Sequence, residues 1–163
     1  METNTQNNTT NRLGLDAEKS RELAVSLNHL LADYSVFYQN VRGYHWNIKG
    51  SKFFELHVKF EELYNDLFVK IDEVAERVLT LGEVPGHRFS DYLQTSSIQE
   101  SAEVYDGEKA VLQILAAFKD LLSKQRVILS LSAEIDDEGT NAMMSDYIRE
   151  QEKLVWMYSA FLG

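Results

Sequence analysis

The sequence predicts an all-α protein made of four long amphipathic helices, with a short helix in the long connection between the second and third. Three observations lead there. Apolar residues recur at three- and four-residue intervals along four long segments. The one proline, Pro85, and most of the eight glycines fall between those segments. At 163 residues, 44% hydrophobic and 26% charged, the chain has the length and composition of a single globular domain without need of cross-links.

Residues 1–14, rich in Asn and Thr, read as a flexible polar tail, and residues 15–163 as one bundle domain. The first helix starts near Asp16 and carries Leu23, Leu27, Leu30, Leu31, Tyr34, Phe37 and Val41 on one face; Gly43 and Gly50 bracket the turn after it. The second runs from Phe53 to Leu81 and stops at Gly82-Glu83-Val84-Pro85-Gly86. Its core stripe is Leu56, Phe60, Leu63, Leu67, Ile71, Val74 and Val78.

The connection to Tyr105 is long for a helix-helix joint, with a short helix expected over Arg88–Leu93 and a capping-box pattern at Ser97 and Glu100. Its length lets the third helix run parallel to the second. That third helix, Asp106 to Ala133, carries Val111, Leu115, Phe118, Leu122 and Leu129; the fourth, Thr140 to Phe161, carries Met143, Tyr147, Leu154, Tyr158 and Phe161. Four such helices with one long crossover match the ferritin-like bundle among the common arrangements. Met143, Met144 and Trp156 read as core packing, and His29 and His87 as structural or surface residues.

Asp and Glu outnumber Lys and Arg by 26 to 16, a net charge of -10, which repels nucleic acid and anionic membranes and attracts cations. With no cysteine, thiolate chemistry and disulfides are excluded, leaving imidazole and oxygen as strong metal ligands. No apolar window long enough for a membrane span exists, and METNTQNNTTNR lacks the basic start and apolar core of a signal peptide, so a cytoplasmic location is expected.

On the second helix, a rotation of about 100° per residue puts His57, Glu61, Asp72 and Glu76 within one stripe about 100° wide. Phe54, Phe68 and Leu79 share that stripe, and apolar side chains of this size on a non-core face mark an interface. His57 and Asp72 are 15 positions apart, more than about 20 Å along a helix, so one chain cannot bring both to one metal ion. Two copies packed antiparallel about a two-fold axis can. His45, in Tyr44-His45-Trp46-Asn47 just past the glycine-marked end of the first helix, is close enough to converge on His57 across the turn.

The stretch YHWNIKG, followed by FFELHVKFEELYNDLFVKIDEVAERV and LGEVPG, resembles the signature of the Dps family of mini-ferritins, and WMYSAFLG extends the likeness to the C-terminus. The resemblance implies a hollow dodecamer with ferroxidase sites at two-fold interfaces. It implies that His45 and His57 are ligands from one subunit and Asp72 and Glu76 from its neighbour, with Glu61 either a ligand or a supporting carboxylate. Trp46 matches an aromatic that intercepts oxidising equivalents. No histidine has Glu three positions before it, so the Glu-x-x-His motif of classical ferritins is missing.

The implied reaction is oxidation of Fe(II) by hydrogen peroxide, more slowly by oxygen, followed by ferric mineral growth inside the shell; zinc fits the same ligands. The acidic run Glu134, Asp136, Asp137 and Glu138 is open to two readings, a solvated loop with a helix cap or, with Asp146, a pore drawing Fe(II) inward. Two other functions compete: DNA compaction, and an assembly whose interface metal is structural. DNA binding through the tail is not expected, because Arg12 is the one basic side chain among residues 1–12.

Overall fold

A computed structural model describes residues 9–163, and its described residues form five helices: α1 (Ala17–Asn47), α2 (Phe53–Thr80), α3 (Phe89–Thr95), α4 (Gly107–Glu134) and α5 (Glu138–Leu162). The four long ones make the expected bundle, with α3 inside the crossover. Each apolar stripe faces the common interior, where Leu27, Leu30, Phe60, Leu67, Ile114, Phe118 and Leu121 are wholly buried. Burying a side chain of this size contributes about 1.5–3 kcal/mol, so the stripes dominate the folding energy.

The first eight residues of the expected tail lie outside the described residues. Residues 9–16 turn back on themselves, because the Asn11 side-chain oxygen accepts from the Leu13 and Leu15 amides and its amide donates to Ser20. Asp16 caps α1 by accepting from the Lys19 amide.

Helix α1 does not end at Gly43. It continues to Asn47, so His45 lies within the helix rather than beyond it. A glycine inside a helix costs about 1 kcal/mol relative to alanine, less than the burial of Tyr44 and His45 in the next turn returns. Gly82 is where α2 stops: at φ 96° it takes the left-handed position, its amide donating to Leu79 and that of Glu83 to Val78.

The crossover is fixed by polar side chains of α1. Asn28 bonds the backbone of Val84 and Gly86, and Asn40 that of Gln99 and Ser101. The wholly buried Asp33 accepts from Ser96, the Ser97 amide and hydroxyl, and Lys124. Ser97 therefore starts no helix, contrary to its capping-box pattern: its amide and hydroxyl are taken by Asp33. Trp156, expected in the core, is 66% exposed, while Met144 is wholly buried. Trp156 sits two positions before Tyr158, on the opposite side of α5 from that core residue.

Candidate functional site

The continuation of α1 through Gly43 and a short turn at residues 48–52 bring the last turn of α1 beside the first turn of α2. His45 and His57 meet there in a reciprocal arrangement. The Nδ1 of His45 lies 2.7 Å from the His57 carbonyl oxygen, and the Nδ1 of His57 lies 2.8 Å from that of His45. A carbonyl only accepts, so each Nδ1 carries the proton and each Nε2 keeps its lone pair when the ring is neutral. The rings stack at 3.7 Å and 14°. Phe53 stacks on His57 at 4.9 Å, and Tyr64 meets His45 edge-on at 5.3 Å. Two imidazoles are thus fixed in tautomer and orientation before any ligand arrives, which is how metal-binding histidines are commonly prepared.

Glu61, Asp72 and Glu76 are exposed on α2. Other acids of the same helix are engaged within the chain: Glu55 pairs with Lys52, Glu62 with Lys59, Asp66 with Lys70, and Glu73 accepts from Tyr147. The helix is unbroken from His57 to Asp72, about 22 Å of axial rise. No group of three or more metal-ligating side chains forms within one chain among the described residues. The histidines are brought together, with Glu61 one turn along α2 from His57; Asp72 and Glu76 stay distant from them. Around both lie exposed apolar side chains: Phe54 at 82%, Phe68 at 62%, Leu79 at 57% and Trp46 at 56%.

Among the described residues, the centre of the bundle is occupied by a hydrogen-bonded triangle of neutral side chains. Tyr34 donates to Gln125 at 2.5 Å, Gln125 to Gln151 at 2.8 Å, and Gln151 to Tyr34 at 2.6 Å, a closed triangle of neutral groups. Burial holds the Tyr34 phenol well above its usual range, so it remains a donor.

The acidic run divides. Asp136 takes the left-handed position (φ 58°) that ends α4, a conformation Asp tolerates better than most residues. Asp137 is 2% exposed: it caps α5 through the Thr140 amide, accepts the Thr140 hydroxyl, and pairs with Arg77 at 2.5 Å. Its carboxylate is committed to Arg77 and Thr140 inside the chain, which separates it from the exposed Glu134, Asp136, Glu138 and Asp146. Asp136, Glu138 and Asp146 are exposed. Asp146 and Glu76 both line an open groove of about 590 Å³ between α2 and α5, with Asp66, Glu73 and Glu150 facing Lys70 and Arg77.

Sequence reasoning missed Tyr64, Phe53 and Arg42. Phe53 and Tyr64 lie one turn before and two turns after His57, a spacing that puts them on its face of α2, where Phe53 meets His57 and Tyr64 meets His45. Arg42, one turn before Trp46, lies 4.7 Å over its ring.

The ferritin-like domain family matches residues 25–163. A "DNA protection during starvation protein" of Porphyromonas gingivalis is 41% identical, covering 91% of this chain and 93% of its own. An uncharacterised protein of Haemophilus influenzae is 55% identical over 91% of this chain and 92% of its own. The crystal structure of the Dps protein of Vibrio cholerae O1, a member of a broad superfamily of ferritin-like diiron-carboxylate proteins, superimposes with a TM-score of 0.94 at 57% identity, covering 95% of this chain and 98% of that one.

Proposed function

The chain belongs to the Dps family of ferritin-like proteins, and from that premise we propose that it is a ferroxidase and iron store, oxidising Fe(II) with hydrogen peroxide at sites shared between two subunits. The observation that carries this reading is the locked pair of imidazoles facing an exposed apolar surface, with the matching carboxylates too far along the same helix to join them. His45 and His57 of one subunit bind Fe(II) through Nε2; Asp72 and Glu76 of a second subunit complete the donor set, and Glu61 ligates or orients. Mixed imidazole and carboxylate donors suit Fe(II), and zinc competes for them.

Covering Phe54, Phe68 and Leu79 in the two-fold interface excludes water from around the site and strengthens its electrostatics. Peroxide accepts two electrons, one from each of two Fe(II) ions, and leaves as water. Twelve subunits would close a shell in which the ferric product accumulates, with Asp136, Glu138 and Asp146 drawing Fe(II) inward by their charge. DNA protection then follows from removing Fe(II) and peroxide together, with no requirement for a basic tail.

The test is anaerobic Fe(II) loading of the assembled protein followed by peroxide, with ferric absorbance and particle size recorded. The combined His45→Ala and His57→Ala change should slow the initial oxidation while helicity and assembly persist. An unchanged initial rate removes the site.

A further inference from the structure

Between the first turns of α2 and the last turns of α5 lies a pocket of about 170 Å³. Leu56, Leu154, Met157 and Phe161 form its apolar walls, and Glu55, Lys59 and Tyr158 complete the lining. Cavities of about 150 Å³ with such walls stay dry and take up a single benzene ring. Tyr158 is 4% exposed, and its hydroxyl is the one buried side-chain polar atom without a hydrogen-bond partner among the described residues. A ligand that supplies the missing partner recovers the cost of leaving that group unmatched.

The lining restricts what that ligand can be. Burial, and then the negative charge of Glu62, keep the Tyr158 phenol protonated, so it offers a donor and calls for an acceptor. Glu62 shares a face of α2 with Glu55 and Lys59, which places the phenol on the side of the helix that borders the pocket. The charges there are already paired, Lys59 with Glu62 at 2.5 Å and Glu55 with Lys52 at 3.3 Å, so a charged ligand finds no free counter-ion and a neutral one is favoured. The Met157 thioether suits an aromatic ring. Water fits poorly, since it needs two to four polar partners and the walls are apolar. A helix of a partner, about 10 Å across, is too thick to enter.

We propose that this pocket binds a small neutral aromatic molecule bearing a carbonyl oxygen, its ring held by Leu56, Leu154, Met157 and Phe161 while the Tyr158 hydroxyl donates to the carbonyl. The site uses none of His45, His57, Glu61, Asp72 and Glu76, so it stands apart from the ferroxidase reading.

The assembled, iron-free protein is titrated with para-fluoroacetophenone and, separately, with fluorobenzene, which fills the same walls without a carbonyl, and binding is read by fluorine NMR. Both probes should bind saturably, and unlabelled acetophenone should displace each of them from the wild type. Tyr158→Phe keeps the ring and removes the donor. It should weaken para-fluoroacetophenone by about three- to tenfold, the effect of one hydrogen bond between neutral groups, and leave fluorobenzene nearly unchanged. Leu154→Phe, which fills the pocket, should weaken both. A ketone affinity that Tyr158→Phe does not alter, or binding that Leu154→Phe does not alter, overturns the proposal. So does the absence of saturable binding to the assembled protein, which would mean that a second copy of the chain covers the pocket.

Discussion

If each site is built from two chains, two differently damaged subunits should repair each other. One variant carries His45→Ala and His57→Ala, the other Asp72→Ala and Glu76→Ala; assembled alone, each has every site defective. The size of the repair follows from geometry. α2 is continuous from Phe53 to Thr80, so the 15 steps from His57 to Asp72 span about 22 Å, whereas metal-ligand bonds are about 2 Å long. No side-chain motion within one chain closes that gap. In a two-fold dimer of one variant with the other, one site receives both sets of lesions and its twin receives intact histidines from one chain and intact carboxylates from the other. Random pairing at equal mixing makes about half the dimers mixed, so about a quarter of all sites regain the full donor set. Skewing the mixture to one part in four lowers the restored share to about 0.19, which distinguishes pairing from trace contamination. The assay is the fast phase of Fe(II) oxidation by peroxide after refolding the variants together, with mixed composition verified by native mass spectrometry. Mixed particles whose activity stays at the level of the separate variants would refute shared sites.

Asp137→Ala should destabilise the protein by about 2–4 kcal/mol in denaturant unfolding, since it removes the α5 cap and the charge-assisted bond to Arg77, while leaving the rate of Fe(II) oxidation unchanged. Tyr158→Phe should be neutral or stabilising by up to about 1 kcal/mol near pH 7, because the buried hydroxyl has no partner among the described residues. Burial, with Glu62 adding repulsion, raises the Tyr158 phenol well above its ordinary value. Wild type must therefore lose stability as pH climbs past about 10, where the unfolded phenol ionises and the folded one does not. Tyr158→Phe should lose less over that range, and equal alkaline slopes in pH-dependent unfolding would contradict the assignment.

Helix number, core stripes and the shared face of His57, Glu61, Asp72 and Glu76 were legible in the sequence because each is a local periodicity: residues at helical spacing share a face whatever they pack against. The same arithmetic separated His57 from Asp72 and called for a second chain. The motifs around His45 and His57 carried the family. Tertiary structure decided what depends on distant partners. Gly43 is a helix stop by propensity, yet α1 runs through it, because packing of Tyr44 and His45 outweighs a cost of about 1 kcal/mol. The capping-box signal at Ser97 was overridden by a buried carboxylate 64 positions away. Asp137 was buried against Arg77, 60 positions away, and the Nδ1 protons of His45 and His57 were fixed by each other's carbonyls. Periodicity specifies which side of a helix faces inward; which hydrogen-bonding groups meet there depends on how the helices are stacked and rotated, and that is set by the packing of the whole core.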